Sequence, residues 1–225
     1  MNKRTILYAF IVVCVLYFFS SLLHLDSLEI IVKPLFLPIL FIYYLKKNRG
    51  KYQIFVVLSF VFYYISEVLF LLSSTINFLY GIFFNLISYL ILLYIIGIDF
   101  LKILKFKKHI ENLLVVLFML TFLIYLFVSI ILLIDFNSGA EKMLLYFYGI
   151  TLILLCSISI ASYMLKYSSL NLFLMLMTIL FIVSDVFYLL IIKIEYNWVF
   201  KSVNLIAQLL SYYFFVVYSL IKSKK

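Results

Sequence analysis

Apolar residues along this chain neither alternate nor form a stripe on one helical face; they fill whole segments. Eight such runs follow one another almost end to end, at roughly 5–23, 29–45, 53–73, 77–99, 112–134, 143–164, 170–192 and 201–221. A run that is apolar on all sides and about twenty residues long crosses a hydrocarbon layer of about 30 Å as a helix, at 1.5 Å per residue. A transmembrane β-barrel would need strands of about ten residues with apolar and polar positions alternating, and no such pattern occurs. The pattern therefore predicts an all-α integral membrane protein, a bundle of about eight transmembrane helices. Residues 1–225 are expected to form a single polytopic membrane domain, since five glycines and two prolines leave little room for long loops.

Composition agrees. The chain is 68% hydrophobic and its mean hydropathy is +1.26, whereas soluble domains are roughly 45–50% apolar. The first run follows Lys3 and Arg4 and has the outline of a secretory signal. It is too long for one, and no small-x-small site follows, so a retained helix is expected. Cys14 and Cys156 both fall inside apolar runs, where packing is the expected role rather than a disulfide.

The net charge of +9 could suggest nucleic acid, but the distribution points elsewhere. Fourteen of the basic residues fall at one set of chain ends and connections: Lys3 and Arg4, the 46–51 stretch, the 102–108 stretch, Lys166, and Lys222 onward. The alternate connections hold Lys142, Lys193 and Lys201, with Asp26, Asp135, Glu141 and Glu195. By the positive-inside rule both termini lie in the cytoplasm. Tyr196 and Trp198 then read as part of an outer interfacial belt. No nucleic-acid partner is expected; the partner is the bilayer.

Against this background a few residues stand out. Ser184-Asp185 lies within FIVSDVFYLL, and Ser66-Glu67 lies 118 residues earlier within YYISEVLFLL. The stated topology puts both acids about two turns below the outer surface, roughly 10 Å. Lys33, Asn85, Ser88, Asn204 and Gln208 come to similar depth from three other helices. An ionisable group within a span costs roughly 2.5–3.5 kcal/mol on insertion scales and faces the bundle interior. One explanation is structural: Lys33 pairs with Glu67 or Asp185 and the amides tie helices together. The other is catalytic. Two carboxyls that share a pocket do not both ionise readily, so one neutral acid and one anion can coexist there. The matching Ser-acid pairs also suggest a parallel repeat of four-helix halves, although the second half has no counterpart of Lys33-Pro34.

Other chemistries find no support. His24 and His109 fall in connections on opposite sides of the membrane, so they do not form one metal site. There is no Gly-x-Gly-Asp element of an intramembrane aspartyl protease. Most of the 20 Tyr and 25 Phe are expected to face lipid or to pack.

In chain order, Lys33-Pro34-Leu35, Ser66-Glu67, Tyr80-Gly81 with the run to Tyr94, Ser184-Asp185 and Ser211-Tyr212-Tyr213 resemble the YhhN-like membrane proteins, which include lysoplasmalogenases. The resemblance covers about residues 29–221. Ser66-Glu67 stands where the family has Gly-Asp, Ser88-Tyr89 where it often has a His, and Val216 where it has a Gln. Lys33-Pro34 is placed near the start of its helix, where Pro is tolerated. The resemblance implies a hydrolase of the bacterial inner membrane that cleaves the vinyl ether of a lysoplasmalogen, or of a related lysophospholipid, without metal or organic cofactor. It implies Glu67 and Asp185 as the catalytic pair. Lys33 would hold the substrate phosphate, and Asn85, Ser88, Asn204, Gln208 and Tyr212 would bind substrate or water. A non-enzymatic lipid-binding relative, or a small-solute or proton-coupled transporter, is the alternative.

Overall fold

A computed structural model describes residues 3–48, 52–72, 75–106 and 113–223. Arg49, Lys51, Lys107, Lys108, His109, Lys224 and Lys225, which entered the charge and metal arguments, lie outside the described residues. The structure has eight helices: α1 (Lys3–Leu22), α2 (Asp26–Lys47), α3 (Ile54–Leu71), α4 (Thr75–Phe106), α5 (Leu113–Leu133), α6 (Gly139–Leu165), α7 (Ser169–Lys193) and α8 (Trp198–Lys222). There are no strands among the described residues, and all eight helices are long and apolar enough to cross a membrane. This is the eight-helix bundle the apolar runs predict.

Several boundaries differ from expectation by a few residues, and two of the differences have a clear local reason. α4 continues beyond residue 99 to Phe106. The Asp99 carboxylate forms an ion pair with Lys222 of α8, and that pairing satisfies the acid while the helix runs on. α2 begins at Asp26, with Asp26 and Glu29 in its first turn, where acids complement the helix dipole. Pro34 is therefore inside the helix, as is Pro38, rather than in an N-terminal turn. Each proline lacks the N–H that would bond the carbonyl four residues back. The carbonyls of Ile30 and Pro34 thus lose their intrahelical donors beside Lys33.

The short links are chemically defined. Between α1 and α2 the Leu25 N–H reaches back to the Ser20 carbonyl at 2.9 Å, and His24 takes φ 53°, the left-handed position that ends many helices. Ser138, Ser168 and Asn197 cap α6, α7 and α8 with side-chain oxygens that accept from Glu141, Asn171 and Val199 N–H groups. Such caps are each worth about 1 kcal/mol.

Packing is most extensive between α7 and α8 and between α3 and α4, whereas α5 leans mainly on α6. The α3–α4 contact is close because Phe70 lies directly over Gly81: a Cβ on that glycine would meet the Phe70 ring at 2.5 Å. In a duplicated chain α3–α4 would correspond to α7–α8, and both pairs are tight. The close α1–α2 pair, however, has a much looser counterpart in α5–α6. The core centres on the rings of Tyr63, Tyr89, Phe181, Tyr212 and Phe215, all nearly or fully buried. Tyr63 stands edge-on to Tyr89, Tyr212 and Phe215 and stacks on Phe181, with centroids 5.3–5.9 Å apart. Offset and edge contacts of this kind fix ring planes as well as bury area. They thereby fix where the Tyr89 and Tyr212 hydroxyls point.

Candidate functional site

The two Ser-acid pairs use their serines alike. The Ser66 hydroxyl donates to the Gly81 carbonyl at 2.8 Å, which fastens α3 to α4. Asn204 Nδ2 donates to the Ser184 carbonyl at 2.8 Å and to its hydroxyl at 3.2 Å, which fastens α7 to α8. Each tie lies one residue before an acid. The acid behind it, about 100° further round the helix, is turned into the bundle.

Glu67 is 3% exposed. Its Oε2 lies 3.2 Å from Lys33 Nζ, and its Oε1 accepts from Gln208 Nε2 and from the Tyr212 hydroxyl, both at 2.8 Å. Gln208 Oε1 faces the Tyr17 hydroxyl at 3.5 Å. Helices α1, α2, α3 and α8 are thus joined through one carboxylate, whose charge is balanced by Lys33. This part of the site matches the structural explanation of the polar cluster.

Asp185 is bound differently. The hydroxyls of Tyr89 and Tyr148 both donate to its Oδ2, each at 2.7 Å. Asn85 Nδ2 in turn donates to the Tyr148 oxygen at 2.8 Å. Asp185 has no ion pair among the described residues, and it is only partly buried. Its environment therefore sets it apart from Glu67: two neutral donors on one oxygen, and no cation.

Both acids, with Lys33, Asn85, Asn204, Gln208 and Tyr212, line one small polar chamber of about 30 Å³. That is room for roughly one or two water molecules. Lys201 is also in its wall, loosely paired with Glu29 at 4.0 Å. Ser88 is not in the wall; it is fully buried and donates to the Ser59 carbonyl at 3.2 Å, so it ties α4 to α3. The neighbouring Tyr89, one step round the helix, takes the position facing Asp185. Lys33, expected to hold a phosphate, already has Glu67 as its partner.

Sequence reasoning passed over Tyr17, Tyr89, Tyr148, Tyr188 and Lys201. With 20 tyrosines in the chain, residue type alone does not single one out. The usable signal was spacing: Asn85 and Tyr89 are four apart and share a helix face.

Three further voids adjoin the chamber. A vestibule of about 770 Å³, lined by Asp135, Asn137, Ser138, Glu141 and Lys193 among others, lies at the end of the bundle where α3 and α7 finish. It shares Phe70 and Tyr188 with the chamber, and those two rings lie 5.1 Å apart. Glu141 and Lys193 form a buried ion pair at its edge. A narrow connecting void touches Phe70, Asn85, Tyr148, Asp185 and Tyr188. An apolar groove between α5, α6 and α7 also reaches Tyr148 and Asp185. Among the described residues no three His, Cys, Asp or Glu side chains are grouped as a metal set.

Eight membrane-crossing helices enclosing ionisable groups from α2, α3 and α7 define a multi-pass membrane protein with a polar site inside the bundle. Residues 28–218 match the model of the YhhN family, and the chain belongs to that family. No curated protein and no solved structure gives a match.

Proposed function

We propose that this protein hydrolyses the vinyl ether bond of a lysoplasmalogen or a related lysophospholipid, as the lysoplasmalogenases of its family do. The observation that carries the reading is the contrast between two acids on one chamber: Glu67 paired with a cation, Asp185 held by two hydroxyls and no cation. Paired carboxyl groups in unlike environments divide acid and anion roles between them.

The proton goes from Asp185 to the β-carbon of the vinyl ether. The C=C π pair forms the new C–H bond, and an oxocarbenium ion results. Glu67 stabilises that charge across the chamber, as the anionic partner does in glycoside hydrolysis. A water held in the chamber by Glu67, Gln208 and Tyr212 attacks the cationic carbon and returns a proton to the Asp185 carboxylate. The hemiacetal then collapses to a fatty aldehyde and a glycerophospho head group. Tyr89 and Tyr148 hold Oδ2, which leaves Oδ1 for the reacting carbon. The vestibule has the room and the polar lining for the head group. The test is release of fatty aldehyde by the purified protein from a lysoplasmalogen. Sustained release above a no-protein control is expected. Saturable lipid binding without release would instead identify a lipid-binding relative.

We further propose that both termini face the cytoplasm of a bacterial inner membrane and that the vestibule opens on the outer face. A reporter fused to the end of α8 is expected inside, and one inserted at 135–138 outside. A C-terminal reporter found outside would overturn the placement and the access route with it.

A further inference from the structure

The apolar groove, with about 50 Å³ of free space, and the polar chamber each share wall residues with the narrow void between them. The connecting void shares Asn85, Asp185 and Tyr188 with the chamber and Tyr148, Asp185 and Leu189 with the groove. Asp185 lies on all three. On the groove side its surroundings are hydrocarbon: Phe127 and Ile130 of α5, Leu152 of α6, and Ile182 and Val186 of α7. A carboxyl at the meeting point of a water-sized polar chamber and an apolar groove is an unusual placement, because an ionisable group facing hydrocarbon is costly. Asp185 thus has a polar void on one side and an apolar one on the other.

The outer wall of the groove is α5, the least buried helix of the bundle, which leans mainly on α6. Its approach depends on Gly149 of α6: a Cβ there would meet the Phe127 ring at 2.1 Å. That glycine seats Phe127 against α6 and so shapes one side of the groove. Elsewhere α5 presents large apolar side chains outward, including Phe118, Phe122, Tyr125 and Leu132, so a chain in the groove has lipid-like surroundings on the membrane side.

We propose that the α5–α6–α7 groove is the subsite for the hydrocarbon chain of a single-chain amphiphile, and that Phe127 and Ile130 set how much of that chain it accepts. The identity of the amphiphile as a vinyl-ether lysolipid rests on the function proposed above; the groove as a chain site does not.

The test uses a non-hydrolysable 1-O-alkyl lysophospholipid with a diazirine at the end of its hexadecyl chain, added to wild-type protein in nanodiscs and photolysed. Cross-links competed by the unlabelled ether lipid are expected on groove residues of α5 and α6. Ile130→Trp narrows the groove from a partly exposed position. Expelling two methylenes, at about fourfold in affinity each, should weaken competition by the hexadecyl ether about fifteenfold while leaving an octyl ether within about twofold. Competed cross-links confined to α1, α2 or α8, uncompeted labelling alone, or an equal effect of Ile130→Trp on both chain lengths would overturn the proposal. Groove cross-links in a protein that releases no aldehyde would sink the hydrolase reading and leave the chain site standing.

Discussion

Asp185→Asn is expected to leave the protein folded and to lower aldehyde release by roughly 10²–10⁴-fold, the range supplied by a positioned general acid. The substitution is close to isosteric. Its amide oxygen can accept the hydroxyls of Tyr89 and Tyr148 that Oδ2 accepts now, and the Asn85 to Tyr148 bond is untouched. What is lost is the carboxylic proton. Tyr148→Phe should cost much less, since it removes one of two donors to Oδ2 and leaves the acid in place. Aldehyde release and thermal stability should be measured for both variants beside wild type. An active wild type with an equally active Asp185→Asn would remove Asp185 from the chemistry and with it the two-carboxyl mechanism, while family membership, which rests on residues 28–218, would stand.

The fold was almost wholly legible in the sequence because the bilayer imposes one strong rule, that backbone polar groups be satisfied within the segment. Runs apolar on every side have no other solution than helices. The site was legible in part for a related reason. An acid in hydrocarbon is expensive enough to be conspicuous, so Glu67, Asp185 and Lys33 stand out, and alternation of helix direction brings them to one end of the bundle. Choice of partner was not legible. Depth alone left Lys33 free to meet either acid, and the packing of α2 against α3 decided for Glu67. Rotation about a helix axis was not legible to one residue either, which is why Ser88 was expected where Tyr89 stands. Tyrosines carry the least signal of all. Their rings are at home in lipid, in the core and at the interface alike, and only the contacts separate Tyr148, which holds Asp185, from Tyr125, which is exposed on α5.

Glu67→Gln is expected to destabilise the protein by about 3–5 kcal/mol, the cost of breaking a buried ion pair by removing one partner, as well as to lower turnover. The Lys33 side chain is 8% exposed and that of Glu67 4%, so the lysine left behind has little access to water. The amide oxygen of the glutamine can still accept from Gln208 and Tyr212, as Oε1 does now; what is lost is the oxygen that faces Lys33, so α2 should loosen from α3. Lys33→Ala should act in the same direction, because it strips Glu67 of its counter-ion. As a phosphate contact alone, Lys33 would have affected mainly KM; as the partner of Glu67 it should affect stability and kcat. The double variant Lys33→Met/Glu67→Gln separates these contributions. It removes both charges and keeps side-chain volume, so stability should return to within about 1–2 kcal/mol of wild type, since buried pairs are often replaceable by apolar packing. Turnover should not return, because the anion facing the oxocarbenium ion is gone. Thermal unfolding in one detergent and aldehyde release in nanodiscs would be measured for the four proteins of the cycle: wild type, Lys33→Met, Glu67→Gln and the double variant. A double variant that regains wild-type turnover along with stability would show that Glu67 serves only to hold the bundle together.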